Sequence, residues 1–184
     1  MFSDIVDFTR RSERIAPEQV VQNLNDLFSV FDQLARERGL EKIKTIGDAY
    51  MVVGGLPDPR PDHADAVAEM ALAMRAEVAG RSDPSGQPLA VRIGIDTGPV
   101  VAGVIGTSRF SYDLRGDTVN TAGRMESHGL PGCIQVTDRT WERLRDRYHF
   151  ERRGPVQVKG KGEIVTYFLE GRVQEHLTER EEST

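Results

Sequence analysis

Glu41-Lys42-Ile43-Lys44-Thr45-Ile46-Gly47-Asp48-Ala49-Tyr50-Met51-Val52-Val53 is the stretch on which the fold turns. Two short β-prone runs flank Gly47-Asp48, a turn dipeptide, so the segment reads as a hairpin over residues 41–46 and 49–53. Upstream, Val20, Leu24, Leu27, Phe28, Phe31, Leu34 and Ala35 recur at helical spacing and make one apolar stripe. A helix over residues 17–38 follows, with Pro17 in its first turn and Gly39 just past its end. Ahead of it, Phe2, Ile5 and Val6 suit the end of a buried strand. A strand already under way at that point suits a domain excised from a longer protein. Downstream, Pro57, Pro59 and Pro61 mark a loop, and residues 62–79, rich in Ala, Met and Glu, read as a second helix. Residues 89–95 and 100–105 read as strands, 117–128 as a helix, and the region near 138–148 as another.

The order strand, helix, strand, strand, helix, strand implies an α+β protein with a ferredoxin-like (βαββαβ) core and additional C-terminal strands and helix. The expected sheet is antiparallel, with helices on one face. One domain over residues 1–170 is expected, followed by a polar, disordered tail over 171–184.

Composition excludes several classes of function. Of 184 residues, 24 are basic and 29 acidic, a net charge of −5. That balance argues against bulk electrostatic binding to nucleic acid or to an anionic membrane, while leaving room for a local basic pocket. Cys133 is the only cysteine, so no intrachain disulfide forms, and no apolar run is long enough to span a bilayer. A cytoplasmic location is expected, as the chain itself or as the cytosolic part of a larger or membrane-anchored protein. His63, His128, His149 and His176 show no zinc-ligand spacing, and the Gly-x-x-x-x-Gly-Lys-Ser/Thr pattern of P-loop NTPases is absent.

Three groups of residues carry chemistry. Asp4 ends the first strand and Asp48 sits in the hairpin. In a split βαββαβ fold their strands are neighbours, so two hard oxygen ligands converge, suited to magnesium or manganese that also holds phosphates. Lys159-Gly160-Lys161-Gly162 places two ammonium groups on a loop that can approach a polyphosphate closely. Asn120 and Arg124, four apart on a helix, share one face, and arginine's planar fork matches a phosphoryl group. Taken singly, each is more simply a turn residue, a solvated loop or a surface helix.

Together they carry a resemblance. Phe2-Ser3-Asp4-Ile5-Val6-Asp7-Phe8-Thr9, Lys42-Ile43-Lys44-Thr45-Ile46-Gly47-Asp48-Ala49-Tyr50-Met51, Tyr112-Asp113-Leu114-Arg115-Gly116-Asp117-Thr118-Val119-Asn120-Thr121-Ala122-Gly123-Arg124-Met125 and Val158-Lys159-Gly160-Lys161-Gly162 resemble the signature blocks of the class III adenylyl and guanylyl cyclase catalytic domain. They follow the family's order and spacing over Phe2 to Glu170. The resemblance implies two divalent cations, Mg²⁺ or Mn²⁺, held by Asp4 and Asp48 with the carbonyl of Ile5. It implies that Lys44 and Asp113 read the purine, Asn120 positions the ribose, Arg124 stabilises the transition state and Lys159 holds the triphosphate. An arginine near Arg109 is a further candidate for the phosphates. Asp7 departs from the family, standing where glycine is usual, and Gly123 stands where serine is common.

The resemblance also implies a substrate and an assembly. Lys44 and Asp113 are the adenylyl-type residues; guanylyl-specific relatives carry Glu and a small residue there. ATP is therefore the expected substrate, with 3′,5′-cyclic AMP and pyrophosphate as products. One chain holds both catalytic sets, so a homodimer with composite sites is expected. Guanylyl or mixed specificity is the alternative within enzymes, and a catalytically weakened nucleotide-binding regulatory domain is the alternative outside them.

Overall fold

The computed structural model describes residues 1–13, 15–83, 86–105 and 111–173. In chain order these form β1 (Phe2–Ile5), α1 (Phe8–Ser12), α2 (Pro17–Glu37), β2 (Glu41–Ile46), β3 (Ala49–Val53), α3 (His63–Ala79), β4 (Val91–Ile95), β5 (Val101–Ile105), β6 (Ser111–Arg115), α4 (Asp117–Ser127), β7 (Ile134–Thr137), α5 (Asp138–Leu144), β8 (Tyr148–Val158) and β9 (Gly162–Arg172). Seven strands make one sheet in the order β2-β3-β1-β4-β7-β9-β8, and β5 and β6 make a separate two-stranded sheet. The first four strands stand in the ferredoxin-like order, so the expected α+β class and βαββαβ core are present.

The main core lies between the large sheet and α2, α3 and α5. Leu27, Phe31 and Ala35 of α2 meet Ala64, Val67, Met70, Ala71, Met74 and Val78 of α3 over Ile93, Ile95, Ile134 and Val136 of the sheet. Alanines along α3 let that helix approach closely, and burial of its long side chains is the chief stabilising term.

Two features depart from the sequence expectation. First, the helices do not all share one face. Ile93 and Ile95 join the main core, so strand alternation turns Arg92 and Gly94 to the other side. There α4 packs so closely that a Cβ on Gly94 would overlap the backbone of Ala122 and Glu126. Met125 and Ala122 are buried in this second layer. Second, the sheet is not wholly antiparallel: β4 and β7 pair in parallel, with Ile93 opposite Ile134 and Ile95 opposite Val136. The connection between them passes through β5, β6 and α4, a crossover of the length that parallel pairing needs.

Smaller differences have local causes. The helix expected near 138–148 stops at Leu144. Tyr148 instead opens β8, buried, with its hydroxyl donating to Glu69 at 2.8 Å. Strand β9 runs through Arg172, which pairs with Tyr148. The rest of the expected tail, residues 174–184, and Arg109 lie outside the described residues. Among the described residues, no helix is long and apolar enough to cross a membrane.

Candidate active site

The β2–β3 hairpin is held from behind. Asp32 of α2 accepts from the Tyr50 hydroxyl at 2.8 Å and from Lys42 Nζ at 2.9 Å. Gly47 takes the positive φ, 61°, that the tight turn requires. This anchoring fixes two side chains that face the second layer or the turn, Lys44 and Asp48.

Asp48 comes to Asp4 because β1 and β3 pair antiparallel, with Phe2 opposite Met51 and Ser3 opposite Tyr50. Burial, then the adjoining Asp4 carboxyl, pushes the Asp48 carboxyl up to about 6. The backbone N–H groups of Asp48 and Ile5 donate to it and partly oppose that rise. Ile5 turns its side chain into the main core. Two crowded carboxylates beside a strand-end backbone form an all-oxygen donor set of the kind that fits a hard divalent cation, which would favour the ionised form of both. The described residues hold no group of three or more His, Cys, Asp or Glu placed to bind a metal. A cation held by two carboxylates and a backbone carbonyl would keep open positions for solvent or phosphate oxygens, as magnesium usually does.

Asp4 also has a cationic neighbour that the sequence did not disclose. Arg92 of β4 lies opposite it in register, and Nη2 donates to Asp4 Oδ2 at 2.6 Å. Glu126 of α4 lies beyond, its Oε1 3.4 Å from Arg92 Nε. Burial, then the nearby Asp4, pushes the Glu126 carboxyl up to about 7. One signal could have found this group. Glycine inside a strand marks a close backbone approach, and Gly94 sits two residues from Arg92.

Lys44 and Asp113 come together from different sheets. Lys44 Nζ donates to Asp113 Oδ1 at 2.8 Å, and Asp113 also accepts from the Leu114 N–H at 2.9 Å. The Lys44 ammonium is the chief cause holding the Asp113 carboxyl below the usual carboxylate range. An ammonium donor and a carboxylate acceptor thus stand side by side.

Asn120 and Arg124 lie on the exposed face of α4, opposite its buried Thr118, Thr121, Ala122 and Met125. The start of α4 is pinned where Thr118 Oγ1 donates to the Pro99 carbonyl at 2.9 Å. Lys159 is exposed at the β8–β9 turn. The next lysine, Lys161, pairs with Asp117 at the head of α4 at 2.5 Å, bringing that turn to the same helix. One chain therefore brings Asp4, Ile5 and Asp48 together, and Lys44 and Asp113 together. The side chains of Asn120, Arg124 and Lys159 form no hydrogen bond or ion pair with either group.

Comparison with known proteins bears on this arrangement. The family described as Adenylate and Guanylate cyclase catalytic domain matches residues 1–171. An adenylate cyclase of Mycobacterium tuberculosis is 52% identical over 172 residues, covering 94% of this chain and 39% of that protein. The guanylate cyclase soluble subunit beta-2 of Rattus norvegicus is 47% identical over 171 residues, covering 92% of this chain and 25% of that protein. The chain thus spans well under half the length of these curated relatives. Among solved structures, the guanylate cyclase domain of RhGC from Catenaria anguillulae, in complex with GTP, superposes with a TM-score of 0.90. It is 38% identical, with 94% of each chain covered. Family match, fold and sequence identity agree, and the chain belongs to the adenylate and guanylate cyclase catalytic domain family.

Proposed function

We propose that this domain is an adenylate cyclase, converting ATP to 3′,5′-cyclic AMP and pyrophosphate at sites shared between two copies of the chain. The observation that carries the choice of base is the Lys44–Asp113 pair, donor and acceptor 2.8 Å apart. Adenine presents an acceptor at N1 and a donor at its 6-amino group, so Lys44 donates to the first and Asp113 accepts from the second. Guanine reverses that edge and would set donor against donor, leaving buried polar groups unpaired. Relatives of both kinds share the fold, so the fold does not choose the base and these side chains do.

The remaining residues take roles by position. Asp4 and Asp48 hold the divalent cations, with the Ile5 carbonyl as a further oxygen. Mg²⁺ or Mn²⁺ bound there lowers the pKa of the ribose 3′-hydroxyl and offsets charge on the phosphates. Asn120 orients the ribose so that the 3′-oxygen lies in line with the α-phosphorus, which makes the attack intramolecular. Arg124 donates to the α-phosphoryl oxygens, where negative charge develops. Lys159 neutralises the departing pyrophosphate. Asn120, Arg124 and Lys159 form no hydrogen bond or ion pair with Asp4 or Asp48 within one chain, which is compatible with a site completed by a second copy.

The test is direct. Purified protein is incubated with ATP or GTP and with Mn²⁺ or Mg²⁺, and cyclic product is followed. The expected outcome is cyclic AMP from ATP, lost in Asp4→Asn and Asp48→Asn. Preferential formation of cyclic GMP would replace this reading with guanylyl cyclisation. Nucleotide binding without turnover would mark a regulatory domain.

A further inference from the structure

The β8–β9 turn that carries Lys159 has little to hold it. Gly160 and Gly162 take φ 83° and 75°, and a Cβ at either would meet nothing within 4 Å, so the turn stands clear of the fold. Among the described residues, one side-chain bond ties it to another element: Lys161 Nζ to the Asp117 carboxylate at 2.5 Å. Asp117 is the first residue of α4 and is backed by a second cation. Arg139 of α5 has Nη2 4.0 Å from Asp117 Oδ2 and 2.5 Å from Asp96 Oδ2. Asp96, just past β4, has a fully buried side chain that also accepts from Thr137 Oγ1 at 2.7 Å. Alternating charges thus run from the end of β4, through Asp96, Arg139 and Asp117, to Lys161 on the turn. A lone exposed ion pair is worth little, but a network anchored on a buried, hydrogen-bonded carboxylate keeps its geometry.

We propose that Asp117 is a positioning residue for the polyphosphate: by holding Lys161 it fixes the β8–β9 turn and sets Lys159 relative to Asn120, three residues further along α4. The inference rests on the role proposed above for Lys159. Lys159 is exposed and has no hydrogen bond or ion pair among the described residues. Without the tether its ammonium would sample a wide arc and lose that freedom each time a polyphosphate bound. With the tether in place, that ordering is done before the ligand arrives. The sign of the effect separates this role from simple charge. An aspartate near a polyphosphate repels it, so on electrostatics alone neutralising Asp117 would strengthen binding. Through the tether, neutralising it weakens binding.

Isothermal titration calorimetry of the full chain in Mg²⁺, with pyrophosphate and separately with cyclic AMP, tests this without turnover. Wild type is compared with Asp117→Asn, Lys161→Gln, their double variant and Lys159→Ala. Pyrophosphate binding weakens about ten-fold in Asp117→Asn and in Lys161→Gln, the weight of one charge-assisted bond. Cyclic AMP, which lacks the departing phosphates, binds within about two-fold of wild type in both. The double variant is no worse than either single one, since both break the same tether. Tighter or unchanged pyrophosphate binding in Asp117→Asn would overturn the proposal; combined with weakening in Lys161→Gln, it would make Lys161 a direct phosphate ligand. An additive loss in the double variant would overturn it as well. So would parallel loss of both ligands, because the fault would then lie in α4 as a whole. Lys159→Ala supplies the separate check: if it binds pyrophosphate as wild type does, the reading of Lys159 fails and this inference fails with it.

Discussion

At the scale of single residues, Lys44 and Asp113 are asked to do the finest work. Replacing Lys44 with Glu and Asp113 with Cys reverses the donor–acceptor order. An unpaired buried polar group costs about 1–3 kcal/mol and about 1.4 kcal/mol is ten-fold in rate. The double variant should therefore lose roughly ten-fold or more in kcat/KM for ATP, with the ATP-to-GTP ratio falling in parallel. Selectivity should also be insensitive to pH. The Asp113 carboxyl is held below the usual range, chiefly by Lys44, so it titrates only in acid and remains an acceptor above that. The ATP-to-GTP ratio of kcat/KM should stay flat between about pH 6 and 8.5. Asp7 supplies a third test. It lies two residues past the end of β1 with φ 57°, a left-handed conformation that costs most side chains about 1 kcal/mol but that Asp tolerates better. Asp7→Ala should therefore be less stable than Asp7→Gly by about 1 kcal/mol in denaturant titrations. Asp7→Gly should also lower KM for ATP, because it removes a negative charge two residues from Ile5 of the proposed cation site. The pairing of Asp4 with Asp48 was legible in the sequence because strand adjacency in a βαββαβ fold brings their positions together. Arg92 and Glu126 were not, since each reads alone as a solvent-facing charge. Only the side of the sheet on which α4 lies makes them neighbours.

At the scale of elements, the amphipathic helices were the plainest. The apolar stripe of α2 predicts its span to within one residue, because burial on a single face imposes the helical period. The side of the sheet taken by α4 was hidden, since an amphipathic helix satisfies its pattern on either side. The signal lies in its partner: Gly94 is the one place in β4 where helix backbone can touch strand backbone. Gly94→Ala should consequently lift α4 and destabilise the domain by about 3 kcal/mol or more, since there is no flexible side chain to move aside. Urea titration checks this, and activity should fall with it because α4 carries Asn120 and Arg124. The long β8–β9 hairpin was legible only as fragments. Gly154, Pro155, Gly160 and Gly162 interrupt its hydrophobic pattern, although the ladder runs from Tyr148–Arg172 to Val158–Gly162 with bulges that absorb the breaks.

At the scale of the whole molecule, the proposed sharing of each site between two copies makes a quantitative prediction about assembly. Asp4→Asn and Arg124→Ala should each be inactive alone. Mixed in equal amounts and allowed to exchange, half the dimers are hybrids, and each hybrid has one intact site of two. Activity should return to about a quarter of wild type. A mixture that stays inactive while the chains demonstrably exchange would show that each site is built within one copy. The small β5–β6 sheet has a different consequence. Lys44 belongs to the large sheet and Asp113 to the small one, and their ion pair spans the gap between two independently hydrogen-bonded bodies. If the pair reads the base as proposed, base choice is conjunctive: neither sheet contains the code, which exists only in their alignment. On that reading fidelity is a mechanical quantity, set by how tightly one body is clamped against the other, and loosening the clamp should lower the discrimination between purines.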